Sequence, residues 1–135
     1  LLELAIAGDA RFAVLDWEVT RGGVSYTVDT VKRARSEFAD SELVWIIGED
    51  QVPKLPFWHR ISELCQMTDF AYLERPGHPV PSPPHLPNLR LHRLISHQIE
   101  LSSTEIRRRA QEKRSLRFLL PDPLIQYIEK RSLFN

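Results

Sequence analysis

The residues Leu101-Ser102-Ser103-Thr104-Glu105-Ile106-Arg107 put two serines, a threonine and an arginine at the start of a helix. Ser102 followed three positions later by Glu105 fits a capping box, which sets the helix start at Ser102. Such a start carries unpaired backbone N–H groups and the positive end of the peptide dipole. Hydroxyls and a guanidinium added there suit a phosphate chain. A cap alone would explain Ser102, but it has no need of Arg107. Three further positions bear chemistry. Asp50, after an apolar run and Gly48, falls at a strand end, where the ligands of an open α/β sheet sit, or serves only as a turn residue. Trp58, a half-wet aromatic, suits a ligand or interface site, or plugs a loop. Thr27 offers a hydroxyl at a helix start, or only caps the helix.

Composition bounds the partners. A chain of 135 residues has room for one sizeable core. Its 18 basic and 18 acidic residues cancel, so no global field favours nucleic acid or an anionic membrane. The basic cluster Arg107, Arg108, Arg109, Lys113 and Arg114 is local, and most of it reads as a solvated helix face. Cys65 is the single cysteine, which excludes an internal disulfide and a cysteine-based zinc site. The five histidines have no pair at helix-face metal spacing, so no metal site is expected. With no spanning-length apolar run and no visible signal peptide, a cytoplasmic location is expected.

The elements that must position these residues follow from pattern. Leu1 to Ala7 reads as the end of a helix closed by Gly8, which suggests material upstream. Arg11 to Thr20 reads as a strand by the near-alternation of Phe12, Val14, Trp17 and Val19. Ser25 or Thr27 can cap a helix with the stripe Val28, Val31, Ala34 and Phe38. Leu43 to Ile47 is an unbroken apolar run, the pattern of a strand covered on both faces. Pro53 and Pro56 mark an irregular stretch. A helix from about His59 to Met67 turns Ile61, Leu64 and Cys65 inward. Asp69 to Glu74 and Leu89 to Ile95 read as strands. Between them, Gly77 to Asn88 holds five prolines and is a surface loop. Asp122-Pro123 caps a last helix with Leu124, Tyr127 and Ile128 on one face. Strand and helix alternate as in an open α/β sheet, whose ligands sit beyond the carboxyl ends of the strands.

Four segments in this order resemble the bacterial nicotinate mononucleotide adenylyltransferases. They are Ser25-Tyr26-Thr27-Val28-Asp29-Thr30, Ile46-Ile47-Gly48-Glu49-Asp50, Leu55-Pro56-Phe57-Trp58-His59 and Ser102-Ser103-Thr104-Glu105-Ile106-Arg107. Phe118-Leu119-Leu120-Pro121-Asp122 through Tyr127-Ile128 is similar to that family's last helix. The resemblance implies an α/β, Rossmann-like nucleotidyltransferase fold: an open, mostly parallel sheet with helices on both faces, here truncated at its N-terminus. Residues 1–135 would be the central and C-terminal portion of a single such domain. The implied reaction transfers the adenylyl group of ATP to nicotinate mononucleotide, giving deamido-NAD and pyrophosphate, with Mg2+ carried by the ATP phosphates. Carried over to this chain, Trp58 would stack on the pyridine ring. Thr27 and the His59 backbone N–H would hold the ring carboxylate. Gly48 and Asp50 would lie against the adenosine ribose, and Ser102, Ser103 and Arg107 would meet the phosphates.

The departures from the family pattern are specific. Glu49 stands where a small residue is usual and would place a negative charge near phosphate unless it points away. His59 stands where an aromatic residue is common. The family's glycine-rich loop leading to His-x-Gly-His is not among these residues, and His78, His85, His92 and His97 do not reproduce its spacing. No catalytic side chain is therefore assigned. The alternative expectation is a binding-only portion that keeps pyridine-nucleotide recognition without turnover. A sheet lacking its first strand would also expose an edge, so self-association into a homo-oligomer is expected.

Overall fold

The computed structural model describes residues 1–74, 82–95 and 101–134. They form two compact units, Trp17–Gln98 and the pair of segments Leu1–Asp16 with Ile99–Asn135. In chain order the elements are α1 (Leu2–Ile6), α2 (Trp17–Arg21), α3 (Thr27–Glu37), β1 (Val44–Gly48), a 3₁₀ helix (Glu49–Phe57), α4 (Ile61–Met67), β2 (Asp69–Leu73), β3 (Leu91–Leu94), α5 (Ser103–Gln111) and α6 (Asp122–Lys130).

The unit Trp17–Gln98 is built on a parallel sheet of order β1-β2-β3. Strand alternation sends Trp45 and Ile47 to the same face as their partners Phe70 and Tyr72, with Leu91 level with Phe70 on β3. That face meets Val28 and Val31 of α3 and Ile61, Leu64 and Cys65 of α4 in one apolar core. Val28, Leu64 and Phe70 are each 0% exposed. Full burial of such a side chain stabilises by about 1.5–3 kcal/mol, so this layer holds the unit together.

Several expectations fail here for physical reasons. The strand Leu43 to Ile47 is covered on one face only, since Val44 and Ile46 remain 51% and 64% exposed while Ile47 is buried. Arg11 to Thr20 is not a strand: it is irregular up to α2 at Trp17. Phe12 and Val19 are 59% and 86% exposed, so their alternation had no second surface to pack against. The Pro53–Pro56 stretch is helical rather than irregular. Glu49, Val52 and Leu55 are its buried residues, and their spacing of three is the period of a 3₁₀ helix. Neither Ser25 nor Thr27 caps α3: Tyr26 is the cap residue, with no side-chain bond to the first turn, and Thr27 is the first helical residue. Residues 82–88 contain no helix or strand, as the proline content requires. Pro79 and Pro81, and with them His78 and His97, lie outside the described residues.

In the other unit, Ile106 of α5, Leu116, and Leu124, Ile125 and Ile128 of α6 form a separate core, with Leu4 of α1 against it. The α1 helix gives way to Gly8 at φ +96, a conformation that suits a residue without a Cβ. The inward stripe of α6 differs from the expected one: Ile125 is buried and Tyr127 is 38% exposed. Asp122 is also not its cap. Pro121 holds that position and Asp122 lies in the first turn, where a carboxylate still complements the dipole.

Candidate functional site

Two elements converge on one cleft. The last turn of the 3₁₀ helix hands over to Trp58, whose N–H donates to the Leu55 carbonyl at 3.0 Å. The Trp58 carbonyl in turn accepts from Ile61 N–H at 3.2 Å, and Arg60 takes a left-handed conformation (φ 54) to make that bend. The indole edge packs on Phe70 with ring centroids 6.2 Å apart, an edge-to-face contact with a fully buried partner. Trp58 is thus anchored in the core and only half-buried. Across from this backbone, α3 begins at Thr27. Ser25, Tyr26, Thr27, Trp58 and His59 line a cleft of about 180 Å³.

The donors in that cleft are available. With no side-chain cap from Tyr26, the first N–H groups of α3 are left to other partners. Among the described residues, neither the Thr27 hydroxyl nor the His59 N–H has a hydrogen-bond partner. An 11-residue helix starting there adds the favourable end of its dipole. An indole, a hydroxyl and N–H donors around one small cleft can hold a flat ring that carries a carboxylate.

The second group lies at the carboxyl end of β1. Gly48 leaves room for Asp50: a Cβ there would stand 2.7 Å from Asp50 Oδ1, the end of an exposed side chain that would have to turn away. Asp50 Oδ2 accepts from Gln51 Nε2 at 2.6 Å and from Lys54 Nζ at 3.4 Å, while the side chain stays 61% exposed. The Gln51 hydrogen bond, with Lys54 beside it, holds the Asp50 carboxyl below its ordinary range. Asp50 therefore presents an ionised carboxylate to solvent at the strand ends. Glu49 turns the other way and is 6% exposed. Its charge helps hold Arg93 above the ordinary guanidinium range, after the larger contribution of Glu74, which accepts from Arg93 Nε at 2.8 Å. The extra negative charge at this position is turned inward.

The third group is the start of α5, in the other unit. Ser102 Oγ accepts from Glu105 N–H at 3.1 Å, the first half of the expected capping box. The reciprocal half is absent, because the Glu105 carboxylate is engaged by Arg108 Nη2 at 2.7 Å and Arg109 Nη1 at 3.5 Å. Arg108 and Arg109 are thereby committed to ion pairs. Among the described residues Arg107 contacts Ser103 Oγ at 3.4 Å and pairs with no carboxylate. Ser102, Ser103 and Arg107 also line an apolar cleft of about 300 Å³ with Ile106, Leu120 and Leu124.

The structure thus brings Thr27, Trp58 and His59 together, sets Gly48 and Asp50 at the end of β1, and keeps Ser102, Ser103 and Arg107 on one helix start. Sequence reasoning missed Ser25 and Tyr26 as lining residues, although both precede Thr27 within the same motif, and it missed Gln51 and Lys54 as the partners of Asp50. His92 pairs with Asp69 at 2.7 Å where β2 begins, at the opposite end of the strands from Gly48. Among the described residues no group of three or more His, Cys, Asp and Glu side chains is arranged to hold a metal ion.

The cytidylyltransferase-like family profile matches residues 1–109. Probable nicotinate-nucleotide adenylyltransferases of Opitutus terrae, Acidothermus cellulolyticus and Geobacillus thermodenitrificans are 45%, 38% and 37% identical over 100%, 98% and 100% of this chain. The chain spans 69%, 66% and 60% of the lengths of those three relatives. A solved structure, Plasmodium falciparum nicotinic acid mononucleotide adenylyltransferase complexed with APC, matches with a TM-score of 0.69 at 15% identity. That match covers 98% of this chain and 72% of the other, and it shows the Rossmann-type fold. With 45% identity running its whole length, the chain belongs to the nicotinate-nucleotide adenylyltransferase family.

Proposed function

We propose that this chain is the central and C-terminal portion of a nucleotidyltransferase domain that moves the adenylyl group of ATP to nicotinate mononucleotide, forming deamido-NAD and pyrophosphate. The observation that carries the reading is the cleft shared by Thr27, Trp58 and His59. The pyridine ring lies on the Trp58 indole, which gains from an electron-poor partner. Its carboxylate takes the Thr27 hydroxyl and the His59 N–H, two donors that would be poorly matched to a carboxamide. Asp50 accepts from the adenosine ribose, and Ser102, Ser103 and Arg107 take the phosphates at the helix start. The work of these residues is alignment and charge neutralisation, since adenylyl transfer needs no nucleophilic side chain when the acceptor brings its own phosphate oxygen. A divalent ion supplies further neutralisation when bound. Such an ion would arrive on the polyphosphate.

No helix among the described residues is long and apolar enough to cross a membrane. The decisive measurement is calorimetric binding of nicotinate mononucleotide, nicotinamide mononucleotide and ATP to the chain, alongside pyrophosphate release with ATP and nicotinate mononucleotide in magnesium. The expected result is tighter binding of the acid than of the amide, lost in Trp58→Ala while ATP binding persists. Equal binding of the two mononucleotides, or equal loss for mononucleotide and ATP in Trp58→Ala, would overturn the assignment. A second reading is that these 135 residues recognise the pyridine nucleotide without turning it over. Binding with no pyrophosphate release selects it; release at ordinary enzyme rates removes it.

A further inference from the structure

The side chain of His59 has no role in the reading above, which uses only its backbone N–H. Yet His59 lines the ring cleft and stacks on Tyr26, with centroids 4.1 Å apart and planes inclined by 29°. Its ring nitrogens have no hydrogen-bond partner among the described residues. Among the described residues neither Lys nor Arg lines the cleft, and the hydroxyls and N–H groups there carry no formal positive charge. We propose that the His59 imidazole, held in place by Tyr26, is a specificity-determining contact that reads the acid group on the pyridine ring of the mononucleotide.

This deepens the proposed function and rests on it. Stacking removes most of the rotational freedom of the imidazole before ligand arrives, so little entropy remains to be lost on contact. The Tyr26 ring face also favours a positive charge above it. A carboxylate brought beside an imidazole raises its affinity for a proton, and the resulting charge-assisted hydrogen bond is about twice as strong as a neutral one. A carboxamide induces neither effect. The charged side chains on the elements packed around the stack are paired elsewhere. On α3, Asp29 pairs with Arg21 at 3.7 Å and Lys32 with Glu63 at 2.7 Å. On α4, Glu63 also takes Arg60 at 2.5 Å. The imidazole and the Tyr26 hydroxyl are then the titratable groups at the cleft itself.

The test is calorimetric binding of nicotinate and nicotinamide mononucleotides to the full chain, at one pH, in buffers of different ionisation enthalpy. Both ligands carry the same 5′-phosphate, so its proton uptake cancels in the difference between them. The expected outcome is net proton uptake for the acid relative to the amide. In His59→Phe, which keeps a ring for Tyr26 to stack on, that excess uptake should vanish and acid affinity fall by roughly fivefold, with amide affinity unchanged. His59→Gln should retain part of the preference as a neutral donor, without the uptake. Tyr26→Ala should lower the preference in the same direction by freeing the imidazole, and Tyr26→Phe should not. Unchanged preference and uptake in His59→Phe would overturn the imidazole contact while leaving the proposed function standing. Failure of the unsubstituted chain to bind either mononucleotide would overturn both.

Discussion

The ring cleft and the start of α5 are both N-terminal ends of helices, yet they are built in different ways. At α3 no side chain satisfies the first turn, and the neighbouring Trp58 is fixed from below by Phe70. At α5 the first turn is capped by Ser102, and Arg107 touches only Ser103. One arrangement roots an aromatic side chain in the core; the other leaves a charge on a helix capped by its own serine. The difference teaches which substitutions can separate binding from folding. In the cleft the two are coupled through Trp58, whereas at α5 they are separable.

The largest effect is expected where they are coupled. Trp58→Ala removes the platform for the ring and also the contact with Phe70. Pyridine-nucleotide affinity should fall by about 2 kcal/mol, roughly 30-fold, and the melting temperature should drop with it. Arg107→Ala should instead weaken ATP binding by roughly tenfold, the usual worth of a charge-assisted bond, at an unchanged melting temperature. Calorimetry paired with thermal unfolding checks both. A stable Trp58→Ala or an unstable Arg107→Ala would erase the contrast.

Gly48→Ala tests a third arrangement, in which the space beside a glycine sets where a carboxylate sits. The new Cβ would meet Asp50 Oδ1 at 2.7 Å, so the carboxylate must swing away. Adenosine-nucleotide affinity should fall by about fivefold, with pyridine-nucleotide affinity intact. A loss of both would mean that the 3₁₀ helix itself had shifted.

How much of this was legible in the sequence depends on what kind of signal each residue carried. The inward positions Ile61, Leu64 and Cys65 of α4 follow from helical spacing, and Ser102 from cap chemistry, because both signals are local. The 3₁₀ helix was hidden by Pro53 and Pro56, which read as breakers, although the spacing of Glu49, Val52 and Leu55 by three was there to be counted. Phe12, Val14 and Val19 misled because alternation describes a strand only where a second surface exists to bury one face. The stack of Tyr26 on His59 joins residues far apart in the chain, and no periodicity reports it. The charge of Glu49 likewise acts on Arg93 of β3, a proximity that sequence alone does not report.

Ser102→Ala sharpens the α5 half of the comparison. Loss of its bond to the Glu105 N–H should cost about 1 kcal/mol of stability, and Ser102→Gly only a few tenths. If ATP affinity falls together with stability in Ser102→Ala but not in Ser102→Gly, the cap matters only as structure. A loss of ATP affinity in both would show that the hydroxyl itself meets phosphate.

The smallest effect is expected at the opposite end of the strands from Gly48. Asp69 pairs with His92 at 2.7 Å and Arg90 at 2.5 Å, and these bonds, His92 foremost, hold its carboxyl below the ordinary range. The fold thus favours the ionised form. That contribution is complete above the carboxylate range of the unfolded chain and is lost as pH falls through the lower folded value. Asp69→Asn should lower the melting temperature at neutral pH by about 2–4 °C, the modest worth of a partly exposed pair, and should flatten the acid limb of the stability profile. Ligand affinities should not move, because β2 separates Asp69 from Gly48 by the length of the strand. A change in pyridine-nucleotide binding would instead mean that the sheet transmits strain from one rim to the other, and the cleft would then owe its shape to more than Phe70.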